Sequence, residues 1–339
     1  MDLSNEIIKY CASLGLDSIG FAECRVYEEL RSFYSERKAK GLENEFEEKD
    51  IEKRINPNHY MSEGKTIVSI AFPYLHDTDY TDNGFSLYTR GKDYHSVVHS
   101  YLEKIVGFIK SLGGSAIAFT DSNTLPERYI AYLAGVGFVG KNNMIITKKY
   151  GSYVFLGEII TDLVIPQSTI RTFDDIKDFK ECGNCGECYM SCPTKSINSY
   201  SKNPNICMSY ITQKKEIDDS YFPLMNGRVF GCDTCQKGCP FNEHIGLSPV
   251  KEFYPLSFME DNNEDNIINI NNSEFKATFK NASCGWRGKN ILIRNALIRK
   301  ALYKHMDISK YKLNSPYLEE YKERIVGFKN RRCKNEEKY

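Results

Sequence analysis

The run Cys182-x2-Cys185-x2-Cys188-x3-Cys192-Pro193 constrains this chain more than any other feature, because a shortened copy follows it. The copy reads Cys232-x2-Cys235-x3-Cys239-Pro240, and a single Cys207 lies between the two. The first spacing is that of bacterial two-cluster ferredoxins, in which the fourth cysteine serves the other cluster. Two [4Fe–4S] clusters need eight thiolates, and eight of the 12 cysteines fall in this window. Two-residue spacers let one loop wrap three corners of a cube, and the Pro after the last Cys presents no N–H to it. By the ferredoxin pattern, Cys182, Cys185, Cys188 and Cys239 hold one cluster, while Cys192, Cys207, Cys232 and Cys235 hold the other.

Paired C-x2-C knuckles also bind structural zinc, but zinc sites rarely run C-x2-C-x2-C into C-P. A disulfide framework fits less well. A chain of 339 residues needs none, and Met1 to Glu6 shows no basic-then-apolar leader. The expectation is an electron-carrying protein of a reducing compartment, the cytoplasm. No apolar run approaches the ~18 residues that would cross a bilayer, so no membrane partner is expected. Net charge is zero, which announces no nucleic-acid partner for the whole molecule. The balance is uneven, however: from residue 290 onward there are 13 Lys and Arg against 6 Asp and Glu. Lys329, Arg331, Arg332 and Lys334 form the densest basic knot, either a solvated tail or a phosphate-contacting patch.

Residues 1–170 alternate helical and strand patterns, which predicts an α+β domain. Helices are expected at Asn5–Ser13, around Val97–Ile109 and at Pro126–Ala134. Strands are expected at Ser18–Ala22, Thr66–Phe72 and Ser115–Phe119. Met144–Thr147 and Tyr153–Leu156 read as a hairpin around Lys148–Ser152. Residues 171–260 form the two-cluster ferredoxin-like module, which needs little core of its own. Residues 261–339 read as a polar loop (Asp261–Asn272) and a short helical, basic region whose helices, at Ile291–Tyr303 and Pro316–Val326, bury little on their own and lean on the body.

Gly135-Val136-Gly137-Phe138-Val139-Gly140 matches the dinucleotide fingerprint, but it follows a helix and leads into a strand, the reverse of the required context. The glycines still permit close backbone approach to a bulky ligand.

Several stretches, in order over residues 5–298, resemble the epoxyqueuosine reductase family. They are Asp50-Ile51-Glu52-Lys53-Arg54, Arg90-Gly91-Lys92-Asp93-Tyr94-His95, and Thr120-Asp121-Ser122 with Glu127-Arg128. Further matches are Gly137-Phe138-x-Gly140-Lys141-Asn142, Gly151-Ser152-Tyr153, Gly157-Glu158, both cysteine runs, and Trp286-Arg287-Gly288-Lys289. The resemblance implies a cobalamin-binding α+β domain akin to that of reductive dehalogenases, followed by the two-cluster module and a short C-terminal helical region. It implies two [4Fe–4S] clusters and cobalamin as cofactors, and a tRNA carrying epoxyqueuosine as partner and substrate. A flavodoxin or ferredoxin-type protein would donate the electrons. Epoxyqueuosine would become queuosine with loss of water. Rival readings are a cobalamin reductase of a small molecule and a pure electron carrier.

An epoxide oxygen is a poor leaving group and needs a proton donor beside it. By resemblance this is Asp121; the plain alternative is an N-cap of the following helix. The same resemblance assigns cobalamin contacts to Arg54, Asp121, Ser122, Asn123, Thr124, Leu125, Pro126, Val139, Gly140, Lys141, Met144 and Phe155, with Ser209 and Gln213. His95 and His99 are expected to be structural, since the family is thought to hold cobalamin without a protein His. Two departures stand out. Arg90 replaces the aromatic residue or Ala often found before the Gly-Lys-Asp-Tyr-His stretch, and many members continue into HEAT-like repeats that grip tRNA. Cys11, Cys24, Cys284 and Cys333 fall outside the cluster pattern, and Trp286 with Arg287 offers stacking and phosphate pairing for an unpaired RNA loop.

Overall fold

The computed structural model describes residues 2–336, with side chains described to 332. Its N-terminal part is a four-stranded antiparallel sheet between helices. The elements run α1 (Leu3–Ser13), β1 (Ile19–Glu23), α2 (Arg31–Ala39), α3 (Ile51–Ile55), β2 (Thr66–Pro73), α4 (Tyr94–Ser111), β3 (Ala116–Phe119), α5 (Glu127–Leu133), β4 (Phe138–Val139), β5 (Ile145–Ile146) and β6 (Val154–Thr161). Sheet order is β1-β2-β6-β3.

Alternation along the strands sorts the two faces. Val68, Ile70 and Phe72 of β2 and Ile159 of β6 meet α1 and α4. Ile67, Ala71 and Ile160 meet α5 on the opposite face. Helix α4 buries Val97, Val98, Leu102, Ile105, Val106 and Ile109, each contributing about 1.5–3 kcal/mol. The helix and strand expectations in this part hold to within a few residues. The expected hairpin does not: β5 pairs with β4, and β6 joins the main sheet between β2 and β3. Only a bridge from Thr147 to Gly151 remains of it. The long apolar face of β6 finds more burial in the sheet than beside a two-residue strand.

The cysteine segment carries α6 (Asp174–Lys177), α7 (Glu187–Ser191), α8 (Met208–Ile211), α9 (Tyr221–Met225) and α10 (Thr234–Lys237). After it come α11 (Glu264–Ile268), α12 (Asn272–Ala277), α13 (Lys289–Ile298), which continues as a π-helical turn (Arg299–Tyr303), and α14 (Pro316–Glu336). The polar run 261–272 is therefore not a loop. Asn263 caps α11, and Asn271 with Glu274 forms a capping box on α12. Between the caps Ile267, Ile268 and Ile270 are buried. The last helices lean on the body, as expected. All eight residues Ile291–Ile298 of α13 are buried, and Leu292, Ile293, Ala296, Leu297 and Ile298 share one core with Met208, Ile211, Phe222, Met225 and Phe230 of the cysteine segment. No helix of the described residues is long and apolar enough to cross a membrane.

Candidate active site and thiol cavity

Asp121 follows β3 in a left-handed conformation (φ 52°), which short polar side chains tolerate best. It does not cap a helix. Pro126 occupies the N-cap position of α5, with no side-chain cap bond, and Asn123 Oδ1 accepts from Leu125 N inside the turn. The Asp121 side chain is 53% exposed. Its Oδ2 accepts the Tyr94 hydroxyl and lies 3.0 Å from His95 Nε2. His95 Nδ1 is 2.8 Å from Asp93 Oδ1, so one imidazole bridges two carboxylates. Hydrogen bonds to Asp121 and then Asp93 lift the His95 pKa to about 9. Burial pushes Asp121 up, but the bonds from His95 and Tyr94 outweigh it and leave the carboxyl below its ordinary range. At neutral pH the proton of this pair resides on His95. The sequence reading took His95 as structural; its signal was the segment Asp93-Tyr94-His95 opening α4. His99 instead faces Glu103 at 3.8 Å.

Two groupings can be traced among the eight cysteines. Cys182, Cys185, Cys188 and Cys239 line one open cavity with Lys141, Asn142, Ile146 and Phe241. Burial, then the charges of Cys182, Cys239 and Cys185, push the Cys188 thiol up to about 11. Cys207 and Cys235 both lie within electrostatic reach of Cys192 and Cys232, and burial raises both. Among the described residues no three His, Cys, Asp or Glu side chains converge tightly enough for a single metal ion. Sets of mutually repelling, partly buried thiols fit polynuclear iron, whose positive charge would hold them deprotonated.

The thiol segment is anchored to the sheet domain. Asp233, between Cys232 and Cys235, accepts from Ser86 Oγ and from Leu87 N at 2.9 Å. Gln236 donates to Ser152 O at 2.9 Å. A Cβ at Gly151 would overlap Asn242, whose Oδ1 accepts from Ser152 N. A Cβ at Gly137 would strike the Ile146 carbonyl, and a strand follows that glycine run, so it serves packing and not a dinucleotide.

The residues assigned to cobalamin by resemblance divide. Phe155 stacks on Tyr94 (4.3 Å, 8°). Tyr88 packs edge-on to Tyr94 and lies within reach of the Ser209 side chain, two residues after Cys207. Gln213 accepts from Trp286 Nε1 at 3.0 Å. Asp121, Phe155, Ser209 and Gln213 thus lie along one connected path from the acid to the second thiol set. Ser122 is exposed, and Thr124 Oγ1 is tied to Lys53 O. Leu125, Pro126, Val139 and Gly140 are buried and Met144 partly so. Lys141 is engaged at the thiols, donating to the Gly183 and Cys185 carbonyls at 2.6 and 2.8 Å. Arg54 pairs with Glu47 at 3.2 Å and lies over Tyr34. Partly exposed aromatic, hydroxyl and amide side chains, with Thr120 Oγ1 buried and unpartnered beside Asp121, fit a broad, flat group bearing amides, as a corrin does.

Arg90 is buried and donates to the Phe85 carbonyl at 3.2 and 3.0 Å, a structural use of that departure. A group that sequence reasoning missed is Phe46, edge-on to both Tyr210 and Trp286, with Arg287 over Phe46 and Trp286. In the basic knot, Lys329 donates to the His305 and Met306 carbonyls, Arg331 faces Asp219 at 3.6 Å and Arg332 is exposed. The side chains of Cys333 and Lys334 lie outside the described residues.

An acid site linked to one of two thiol groupings defines an iron–sulfur oxidoreductase with an attached reaction site. Residues 181–242 match a family profile described as a 4Fe-4S double cluster binding domain. Residues 54–122 match one described as Epoxyqueuosine reductase QueG, DUF1730. The epoxyqueuosine reductase of Bacillus subtilis is 34% identical over 320 residues, covering 89% of this chain and 80% of the relative. A crystal structure of epoxyqueuosine reductase with an epoxyqueuosine-modified tRNA-Tyr stem loop superposes with a TM-score of 0.85 at 32% identity, covering 96% of this chain and 90% of that one. A Bacillus subtilis structure with its aspartate catalytic loop swung out of the active site gives 0.84 at 31% identity, with the same coverage. The chain belongs to the epoxyqueuosine reductase family.

Proposed function

We propose that this protein reduces epoxyqueuosine in a tRNA anticodon loop to queuosine, with two [4Fe–4S] clusters and cobalamin as cofactors. The observation that carries it is the path Asp121–Tyr94–Tyr88–Ser209, which joins an exposed, proton-bearing acid site to the segment holding Cys207. Cobalamin, when bound, supplies a strongly reducing metal centre for the epoxide carbon. The chain's own residues do the rest. Asp121, recharged from His95, gives a proton to the departing oxygen, while Asp93 and Tyr94 hold that pair in place. Phe155, Ser209 and Gln213 line the corrin, with Thr120 beside the acid. Phe46, Tyr210 and Trp286 offer ring faces and edges to unstacked bases, and Arg287 a cation beside them. Electrons enter singly from a flavodoxin or ferredoxin-type donor in the cytoplasm.

The test is anaerobic incubation of cluster-loaded protein with cobalamin, a low-potential reductant and tRNA bearing epoxyqueuosine, the digested nucleosides then being weighed. Loss of one oxygen that depends on cobalamin is expected. No conversion, with clusters and corrin bound, would defeat the proposal.

A further inference from the structure

Removing an epoxide oxygen as water, the reading on which this inference rests, breaks both C–O bonds and forms one C=C bond. It takes two electrons from the external donor and two protons. The His95–Asp121 pair carries only one ionisable proton near neutrality. Tyr94 does not supply the second, because burial and the Asp121 charge push its hydroxyl well above its ordinary range. Once RNA covers Asp121, a second proton needs a source inside the protein.

Two carboxyls lie behind Asp121. Glu158 on β6 is 0% exposed. Its Oε1 takes a long bond from Ser69 Oγ (3.4 Å), and its Oε2 has no partner. The strand register sets it opposite Phe119, two residues before Asp121. Alternation along β6 turns it to the face that carries α5. Glu127, the first residue of α5, accepts from Asn123 Nδ2 at 2.8 Å and lies near the Asp121 backbone. Between Phe119 and Asp121, Thr120 keeps a buried hydroxyl oxygen without a partner. The ionisable groups acting on Glu127 are Asp121 and Arg128, and those acting on Glu158 are Glu127 and Asp121. Packing does not explain Glu158, since an apolar side chain would fill the same space without stranding an oxygen. Burial first, then the charge of Asp121 on Glu127 and of Glu127 on Glu158, raises both pKa values. The two side chains are held as neutral acids.

We propose that Glu127 and Glu158 are an internal proton store that recharges the Asp121 site through the Thr120 region between the two protonations of each epoxide.

Gln and Asp replacements separate this from a structural role. A purely structural site favours isosteric Gln over shorter Asp; a proton store favours Asp, which can carry the proton. In cluster- and cobalamin-loaded protein, E158Q and E127Q are expected to slow conversion by roughly 10²-fold, and E158D and E127D by less. tRNA affinity should not change. Independently of activity, the infrared C=O band of a protonated carboxyl should be present at neutral pH in the parent and diminished in E158Q. Should E158Q not fold, E127Q at the start of α5 carries the same comparison. A parent without that band, or Gln variants as fast as Asp variants, would overturn the store while leaving the deoxygenation intact. A parent that binds tRNA and converts nothing would remove both.

Discussion

His95 Nε2 lies 3.0 Å from Asp121 Oδ2, and this contact sets where the proton of the site resides. Hydrogen bonds to Asp121 first and Asp93 second raise the imidazole from 6.5 to about 9. A raised pKa means the pairing is at full strength below about pH 6.5 and is lost as pH climbs through about 9. Both side chains are substantially exposed, so the effect on fold stability is small. Ring NMR of His95 should show a midpoint near 9 in the parent, falling toward 6.5 in D121N. An unshifted parent midpoint would contradict the assignment.

Cys239 closes the cavity lined by Cys182, Cys185 and Cys188, although it comes from the second cysteine run. C239S should therefore remove the first cluster and leave the second, lowering iron from about eight to about four per chain. Loss of all iron, or of none, would show that the thiol sets are divided differently.

Arg299 and Glu264 are both buried, with Nε and Oε1 2.7 Å apart. Removing one partner of such a pair strands the other charge and costs about 3–5 kcal/mol. E264A should lower the urea midpoint accordingly, and E264Q, which can still accept the bond, should lower it less. Equal effects would mean that charge plays no part.

Trp286 is half exposed and sits edge-on to Phe46. If a base stacks there, W286A should weaken tRNA binding by about 1–3 kcal/mol without altering the salt dependence, since no phosphate contact is removed. Unchanged affinity would place the RNA elsewhere.

The cysteine spacing made the thiol sets legible, because cluster geometry dictates it locally. The strands and α4 were legible too, through periodicity. What sequence left obscure depended on partners distant along the chain. β6 reads as a hairpin arm until β2 and β3 are there to bury it. The Asn-rich run 261–272 looks like a loop because Asn263 and Asn271 are caps, and caps and loops share a composition. Asp121 carried two readings, and only its left-handed backbone and its distance from the α5 N-terminus decide against a cap. His95 was assigned a passive part because its use depends on Asp121, 26 residues away.

The most direct test of the account compares the parent and D121N with equal iron and cobalamin content, in conversion of epoxyqueuosine tRNA under one reductant. The account predicts loss of one oxygen by the parent and a rate lower by roughly 10²–10⁴-fold in D121N, with tRNA binding retained. Equal conversion by both proteins would contradict it and take Asp121 out of the reaction.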